Sequence, residues 1–188
     1  MTMIKAIKAP LTPSTAKSLV AGDHVRISGT IYTARDAAHQ RMVDELEKKG
    51  TLPFEITNEI IFYMGPCPAK PGKIIGPAGP TTSHRMDAYT PRLLEEGLLG
   101  MIGKGNRSKE VMASIVQKGA VYFGCVGGTG ALCAQAVKSV EIIAYEDLGT
   151  EAIRRLVVED FPAIVVIDSQ GQNLYEIEQL KYRNYSFK

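Results

Sequence analysis

The sequence has few cysteines. It contains three among 188 residues, Cys67, Cys125 and Cys133, and none of them belongs to a C-x-x-C pair. An odd number without that spacing argues against a disulfide framework and against a self-contained metal knuckle. We therefore expect three free thiols that are buried or partly buried, because each lies among apolar residues or glycines.

Segments that would lead the chain to a membrane are also missing. Nowhere do about 18 apolar residues follow one another, and the N-terminus has no apolar run of signal-peptide length. A cytoplasmic protein without membrane contact is the expectation.

A strong charge of either sign is absent as well. The sequence has 22 basic and 20 acidic residues, interspersed, for a formal net charge of +2. Without a basic tail or stripe, a nucleic-acid partner has little support. The hydrophobic fraction of 45% and the charged fraction of 22% are ordinary for a globular protein, and the length suits a single domain over residues 1–188.

The segment HVRISGTIY predicts a strand over residues 24–32. Val25, Ile27 and Ile31 fall on one side of a period-2 pattern, and polar residues fall on the other. Gly29 interrupts the pattern, which indicates a bulge or a close approach of another backbone.

The next segment, TARDAAHQRMVDELEKKG, has apolar residues at helical spacing. Asp36 lies in its first turn, Lys48 and Lys49 lie in its last turn, and Gly50 follows as a C′ glycine. The charges match the helix dipole, and a glycine suits a left-handed helix end. Arg35 is therefore expected where a strand ends and a helix begins.

Strands and helices alternate along the rest of the chain. One helix is expected to start with Thr90 as N-cap and to end at Gly97, and another to run from the N-cap Ser108 to Gly119. The alternation predicts an α/β domain whose loops at the strand ends build a site, but the pattern does not reveal the strand order. The other predicted strands span residues 60–64, 98–103, 120–125, 140–146 and 163–169, and a glycine-rich turn with a helix spans 126–138.

Two glycine-rich segments come close to nucleotide-binding loops without matching them. The segment FGCVGGTGA spans residues 123–131 and holds Gly128 and Gly130. Cys133, two residues after it, stands where the G-x-G-x-x-G register needs a third small residue. A tight turn with close backbone packing is its expected role. In GKGN, Gly105 stands where a phosphate loop needs serine or threonine, so neither segment predicts a nucleotide site.

The segment GPAGPTTSHRMDAYTPR, residues 76–92, combines turn residues with functional side chains. Its prolines and glycines predict a rigid turn ahead of a helix. Thr81 and Thr82 could supply hydroxyl donors or a proton-transfer group, and Arg85 is a cation on the same turn.

Three cations stand at predicted junctions between elements: Arg35, Arg85 and Lys104. The arginine fork can hold a carboxylate through two parallel hydrogen bonds, so two arginines and a lysine on converging loops would suit a small dicarboxylate. Ordinary salt bridges for the arginines and a solvated lysine are the competing interpretation, because spacing cannot show that the loops converge.

Five blocks of the sequence, in order, resemble one known family. They resemble the C-terminal domain of class I, iron-sulfur-dependent fumarate hydratases. In two-component enzymes this domain is a separate β subunit, and the same family includes the β subunit of L(+)-tartrate dehydratase. The resemblance covers about residues 19–175, the expected core, and implies the swivelling β/β/α fold. The blocks are SGTIYTARDAAHQR, GPTTSHRMDAYTP, KGNRS, FGCVGGTGALCA and VEIIAYEDLGTEAIRRLVVEDFPAIVVIDSQGQNLYE.

The resemblance implies an activity shared between two chains. This chain would be the β subunit of a fumarate hydratase that reversibly converts fumarate to (S)-malate, inactive without an α subunit and assembled as α2β2. A [4Fe-4S] cluster would be bound by the α subunit and not by this chain, in agreement with the cysteine spacing. A homodimer is one state for the chain alone. An L(+)-tartrate dehydratase β subunit and a non-catalytic dicarboxylate-binding module of the same fold stay open.

The resemblance also implies roles for five side chains. Arg35 and Arg85 match arginines that bind substrate carboxylates, and Lys104 matches a substrate-binding lysine. Thr82 is expected to bind the substrate, with stabilisation of the loop as the alternative. Thr81 matches the proposed base that removes the proton α to a carboxylate of malate. Because a threonine is a very weak acid, a group of the α subunit is expected to accept its proton.

The two residues before Arg85 depart from the family. Ser83 and His84 stand where many members have Ala-Gly. His84 could tune specificity, so fumarate, tartrate and mesaconate all stay open as substrates.

Overall fold

The computed structural model describes residues 4–125 and 130–182. Within these ranges no helix is both long and apolar enough to cross a membrane. The elements are β1 (Ile4–Ala9), α1 (Pro13–Ser18), β2 (His24–Thr33), α2 (Asp36–Lys49), β3 (Ile60–Phe62), a 3-10 turn (Ser83–Met86), α3 (Thr90–Glu95), β4 (Gly100–Gly103), α4 (Lys109–Lys118), β5 (Val121–Gly124), α5 (Gly130–Ala136), β6 (Val137–Ala144), a second 3-10 segment (Glu146–Glu151), β7 (Ile153–Ile167) and α6 (Leu174–Tyr182).

The strands form one sheet that closes on itself. Its order is β1-β2-β3-β4-β5-β7-β6, and β7 also pairs with β2. Strands β1 to β5 run parallel to one another, whereas β7 is antiparallel to both β2 and β5. The strands β2, β3, β4, β5 and β7 therefore enclose a five-stranded barrel, and the predicted α/β fold is confirmed.

Strand β2 follows its predicted pattern. Val25, Ile27 and Ile31 are buried. Gly29 has a φ of 126° and lies at a register shift in the pairing with β7. A Cβ atom at Gly29 would collide with the carbonyl oxygen of Ala9 in β1, so both the bulge and the close approach are confirmed.

The two longest predicted helices are also confirmed. Helix α2 has Arg35 as N-cap and ends on Gly50 in the left-handed conformation. In α4, the Ser108 side chain accepts from the Val111 amide at 3.3 Å, and Gly119 ends the helix at a φ of 69°. Capping and glycine signals thus located both helices correctly.

The start of α3 differs from the prediction. Tyr89, not Thr90, is the N-cap, and Thr90 is the first helical residue. The Thr90 hydroxyl is buried and accepts a hydrogen bond from Nη2 of Arg107 at 2.7 Å. The prediction was wrong because a tertiary contact, absent from the local pattern, uses this hydroxyl.

Several strand limits also differ. Strand β7 begins at Ile153 rather than at residue 163, and β6 begins at Val137, directly after α5, where a helix is predicted. In addition, β1 and α1 precede the first predicted element. Of the predicted glycine-rich turn, residues 126–129 lie outside the described residues, while Gly130 packs closely, with a built Cβ 3.2 Å from the amide nitrogen of Gly79.

One of the three thiols is not where it was expected. Cys125 and Cys133 are buried, but Cys67 is exposed. The prediction for Cys67 was wrong because its apolar neighbours are prolines of an exposed loop, and these do not pack into the core.

The carboxyl ends of β2, β3, β4 and β5 lie at one end of the barrel, because these strands are parallel. Arg35 follows β2, Tyr63 follows β3 and Lys104 follows β4. Strand β7 starts at the same end, since Arg154 pairs with Thr33. The loops that carry the predicted cations therefore converge on this edge.

Candidate active site

The loop that carries the two threonines lies across the ends of β3 and β4. The Thr81 amide donates to the carbonyl of Tyr63 at 2.7 Å, and the Ser83 amide donates to the carbonyl of Lys104 at 2.9 Å. Thr82 pairs with Lys104 in an isolated parallel bridge. Main-chain hydrogen bonds to two strands thus hold Thr81 and Thr82 next to Lys104.

Arg35 and Arg85 meet at one carboxylate. Oδ1 of Asp36 lies 2.6 Å from Nε of Arg85, and Oδ2 of Asp36 lies 3.7 Å from Nη2 of Arg35. The Arg35 side chain is 20% exposed and that of Arg85 is 52% exposed. Two cations that are far apart in sequence therefore stand side by side, and each retains access to solvent.

A second carboxylate, Glu151, completes this group from the segment before β7. One oxygen lies 3.4 Å from Nη2 of Arg35, and the other accepts the amide of Ala37 at 2.9 Å. Since Arg35 provides no side-chain cap to α2, Glu151 satisfies an amide at the helix N-terminus instead. It fixes the start of the helix and pairs with Arg35 at the same time.

The floor of the site is a chain of hydroxyl groups. The Ser83 hydroxyl lies 2.9 Å from that of Tyr122, which donates to the carbonyl of Gly105 at 2.9 Å, so Ser83 is the donor to Tyr122. Burial raises the pKa of Tyr122, which keeps its phenol protonated. Gly103 passes so close that an added Cβ would collide with Oγ of Ser83.

A buried ion pair ties the threonine loop to the start of α4. Asp87 Oδ1 accepts from Nε of Arg107 at 2.7 Å, and Oδ2 accepts from the Ser108 amide at 2.7 Å. His84 Nδ1 lies 2.8 Å from the same Oδ2. The Arg107 guanidinium also lies over two tyrosine rings, those of Tyr63 and Tyr122, at 5.2 and 5.1 Å.

His39 supports the backbone of Arg35 from inside the protein. Its Nδ1 lies 2.9 Å from the carbonyl oxygen of Arg35, and Nε2 is buried without a partner among the described residues. Burial lowers the pKa of His39 to about 4. The ring is neutral at pH 7, and Nδ1 carries the proton because it faces an acceptor.

The candidate residues thus form a cluster rich in hydrogen-bond donors. Arg35 and Arg85 pair with the carboxylates of Asp36 and Glu151, and Lys104 is held beside Thr82 on the same edge. Lys104 is exposed and Thr81 is half-buried. The cluster can bind an anion that carries more than one carboxylate, beside a hydroxyl.

The described part of this cluster lacks the ligands of a metal site. Among the described residues, no group of three or more His, Cys, Asp or Glu side chains could hold a metal ion. The sulfur atoms of Cys125 and Cys133 lie 4.0 Å apart, and hydrogen bonding to Cys133 together with burial raises the pKa of Cys125. The Cys125 thiol therefore stays protonated at pH 7, and Cys67 lies apart from this pair on the surface.

Sequence reasoning missed three residues of this site: Arg107, Tyr122 and Glu151. Arg107 is close in sequence to Lys104, but nothing in the spacing shows that it turns inward to Asp87. Tyr122 lies in a predicted strand and looks like an ordinary core residue. Glu151 lies in a segment with no motif, and only the closure of the barrel brings it to Arg35.

The fold and the cluster define an α/β barrel domain with a cationic, hydroxyl-bearing edge that suits a small dicarboxylate. The chain belongs to the Fumarase C-terminus family, which it matches over residues 3–178. The predicted resemblance is therefore confirmed at the level of the family.

Its relatives include both long and short proteins. The chain is 38% identical to the aerobic class I fumarate hydratase of Escherichia coli (strain K12) over 156 residues, which are 82% of this chain and 28% of that protein. It is 41% identical to the mitochondrial fumarate hydratase 1 of Leishmania major over 152 residues, again 28% of the relative. It is 37% identical over 172 residues to a Methanocaldococcus jannaschii protein named for the beta subunit of L(+)-tartrate dehydratase, with 88% of both chains covered. The chain thus spans about a quarter of the fumarate hydratases and nearly all of the subunit.

Proposed function

We propose that this chain is the β subunit of a two-component fumarate hydratase, a hydro-lyase that acts together with a cluster-bearing α subunit. The observation that carries the proposal is the meeting of Arg35 and Arg85 at Asp36, next to Thr81 and Lys104. Two arginine forks and an ammonium group are what a dicarboxylate requires, and a nearby hydroxyl is what proton transfer requires.

The division of the enzyme into two chains has its own support. This chain covers 88% of a Methanocaldococcus jannaschii protein named as a beta subunit, but 28% of the Escherichia coli fumarate hydratase. The described residues do not fit a [4Fe-4S] cluster, because no group of three suitable side chains converges among them. We therefore assign the cluster to the partner and derive no step through it.

In this proposal the cations bind and Thr81 moves a proton. Arg35 and Arg85 hold the carboxylates of malate, with Lys104 beside them. Thr81 removes the proton from the carbon α to one carboxylate, and the cations stabilise the negative charge that develops on that carboxylate. Within the described part of the chain the Thr81 hydroxyl has no side-chain hydrogen-bond partner, so the partner subunit must supply the group that accepts its proton.

A tartrate dehydratase β subunit is the second candidate. The near-complete coverage of the Methanocaldococcus jannaschii subunit favours it. His84, which lies beside Arg85 and is 73% exposed, offers a further donor that a hydroxylated dicarboxylate could use.

The test is an assay of the reconstituted pair. The chain is co-expressed with a cluster-bearing α subunit and reconstituted without oxygen, and turnover of malate, tartrate and mesaconate is measured. The proposal expects malate and fumarate to be interconverted fastest; a clear preference for tartrate would favour the second candidate. Absence of turnover with malate, tartrate and mesaconate would contradict the proposal and favour the non-catalytic dicarboxylate-binding module.

Two variants test the assigned roles in the same pair. Thr81→Ala should lower kcat by about 10² or more with little change in KM, because it removes a proton-transfer group. Arg85→Lys should raise KM, because lysine keeps the charge but loses the fork. Thr51, which is exposed, and Arg92, whose side chain is 42% exposed, provide matched controls as Thr51→Ala and Arg92→Lys. Normal kinetics of Thr81→Ala or Arg85→Lys would remove the corresponding role.

A further inference from the structure

We infer that Asp36 is a positioning residue that joins Arg35 and Arg85 into one dicarboxylate-binding unit. The inference rests on the proposed function and adds a residue that binds no substrate itself.

Asp36 binds one side of the Arg85 guanidinium. An arginine offers the Nε–H on one side and the paired Nη groups at its end. Oδ1 of Asp36 accepts a hydrogen bond from Nε of Arg85 at 2.6 Å. The Arg85 side chain makes no other hydrogen bond or ion pair within residues 4–125 and 130–182, so both Nη groups are available. A carboxylate can therefore bind the end of the fork while Asp36 holds its side.

Arg35 lies near two carboxylates without a close hydrogen bond to either one. Its Nη2 lies 3.7 Å from Asp36 and 3.4 Å from Glu151, longer than good charge-assisted hydrogen bonds. Its Nε and Oδ2 of Asp36 are buried without hydrogen-bond partners among the described residues. Arg35 is thus held near Asp36 by charge, and its donors are not saturated.

Asp36 is held more rigidly than Arg85. Asp36 is the first residue of α2 and is 26% exposed, so its carboxylate projects from a regular element. Arg85, in contrast, is 52% exposed on a short 3-10 turn and has no other anchor for its side chain among the described residues. Without Asp36, the Arg85 fork would sample many rotamers, and binding would have to restrict them.

Two other roles make different predictions. If Asp36 served only the helix dipole, its loss would affect stability and leave KM unchanged. If it only occupied the arginines in place of a substrate carboxylate, its neutralisation would lower KM. The positioning role alone predicts a higher KM that depends on the presence of Arg85.

The experiment is a double-mutant cycle in the reconstituted pair. Asp36→Asn should raise the KM for malate about tenfold or more and change kcat by less than about threefold, because a charge-assisted hydrogen bond is weakened. In an Arg85→Lys background the same substitution should change KM by less than about threefold, because Asp36 acts through Arg85. Asp44→Asn, on the same helix and without an ion pair in the described structure, is the control and should leave KM unchanged. An unchanged or lowered KM for Asp36→Asn, or equal effects in the two backgrounds, would overturn the inference.

A second readout does not need turnover, so it separates this inference from the proposed function. In the full-length chain, the Nε–H resonance of Arg85 is followed by ¹⁵N NMR. Hydrogen exchange of this proton should be faster in Asp36→Ala than in the unsubstituted chain and unchanged in Asp44→Ala. Equal exchange rates would overturn the positioning role, whereas failure of all substrates in the assay would overturn the proposed function.

Discussion

At the scale of single residues, the site depends on carboxylates that sequence reasoning treated as unremarkable. Asp36 and Glu151 pair with Arg35, and Asp87 pairs with Arg107 below the threonine loop. Asp87 and Arg107 have side-chain exposures of 7% and 0%, so this pair is almost completely removed from water. Removing one partner of such a pair leaves the other charge buried and uncompensated.

We predict that Asp87→Asn destabilises the protein strongly. The buried Arg107 charge would lose its counter-ion, which costs about 3–5 kcal/mol in the free energy of unfolding. Urea denaturation measures this loss. Asp147→Asn, which disrupts the exposed pair with Arg41, is the control and should have a much smaller effect. Similar losses in the two variants would contradict the proposed importance of the Asp87–Arg107 pair.

His39 predicts a pH dependence of stability. Its pKa is lowered from 6.5 to about 4 in the folded protein. Between these two pH values the unfolded chain binds more protons than the folded protein, so stability falls as the pH drops below about 6.5. The loss between pH 7 and pH 5 is about 2 kcal/mol.

The measurement compares the free energy of unfolding of the unsubstituted protein and His39→Asn at pH 7 and pH 5. The difference between the two proteins should shift by about 2 kcal/mol in favour of the variant at pH 5. Burial raises the pKa of Glu59 to about 7, which makes the stability rise as the pH drops. Glu59 is present in both proteins, so its contribution cancels in the difference between them. A difference that does not change with pH would mean that His39 is not buried in its neutral form.

The residues themselves differed in how readily sequence could find them. Arg35, Arg85 and Lys104 stand at junctions between elements, and local patterns locate such junctions well. Glu151 reaches Arg35 through the fold alone, because the contact joins segments more than a hundred residues apart. Arg107 was overlooked since an arginine at a loop is normally solvated, and only the surrounding structure shows its burial.

At the scale of elements, the loop with Thr81 packs closely on the end of β4 because that strand ends in a glycine. Gly103 ends β4 directly under Ser83, and a Cβ there would also lie 3.0 Å from the Tyr63 ring. The loop with Thr81 can approach β4 only because position 103 has no side chain.

We predict that Gly103→Ala displaces the threonine loop. Overpacking of this kind costs about 1–3 kcal/mol, so the melting temperature should fall, and kcat/KM of the reconstituted pair should fall with it because Thr81 and Lys104 move apart. Gly79→Ala in the same loop is the control, since its Cβ would meet no heavy atom closer than 4.0 Å. Normal kcat/KM in Gly103→Ala would show that the loop position does not matter.

Sequence located helices α2 and α4 well and the sheet edges poorly. Both helices carry caps and left-handed glycines, which are local signals. The first half of β7 was missed because charged residues, Arg154 and Arg155, interrupt its apolar pattern where the strand is exposed. The join of α5 to β6 was misplaced because no breaking residue separates Ala136 from Val137.

At the scale of the whole molecule, barrel closure creates the site. Strand β7 pairs with both β2 and β5, which gathers the carboxyl ends of four parallel strands and brings Glu151 to the start of α2. Strand order depends on pairing between distant segments, so sequence patterns predicted the α/β class but not this closure. The cationic edge that results is accessible to solvent, and the Thr81 hydroxyl on it has no side-chain hydrogen-bond partner among the described residues. A second chain that covers this edge is the central element of the proposed function.

The most direct measurement is a titration of the purified chain with the cluster-bearing α subunit under anaerobic conditions, followed by the rate of malate dehydration. The proposed two-chain site predicts no turnover by either chain alone, a rate that rises with added partner and then saturates, and loss of that rate when Thr81→Ala replaces the unsubstituted chain. Full turnover by this chain without the α subunit, or by the α subunit without this chain, would contradict it.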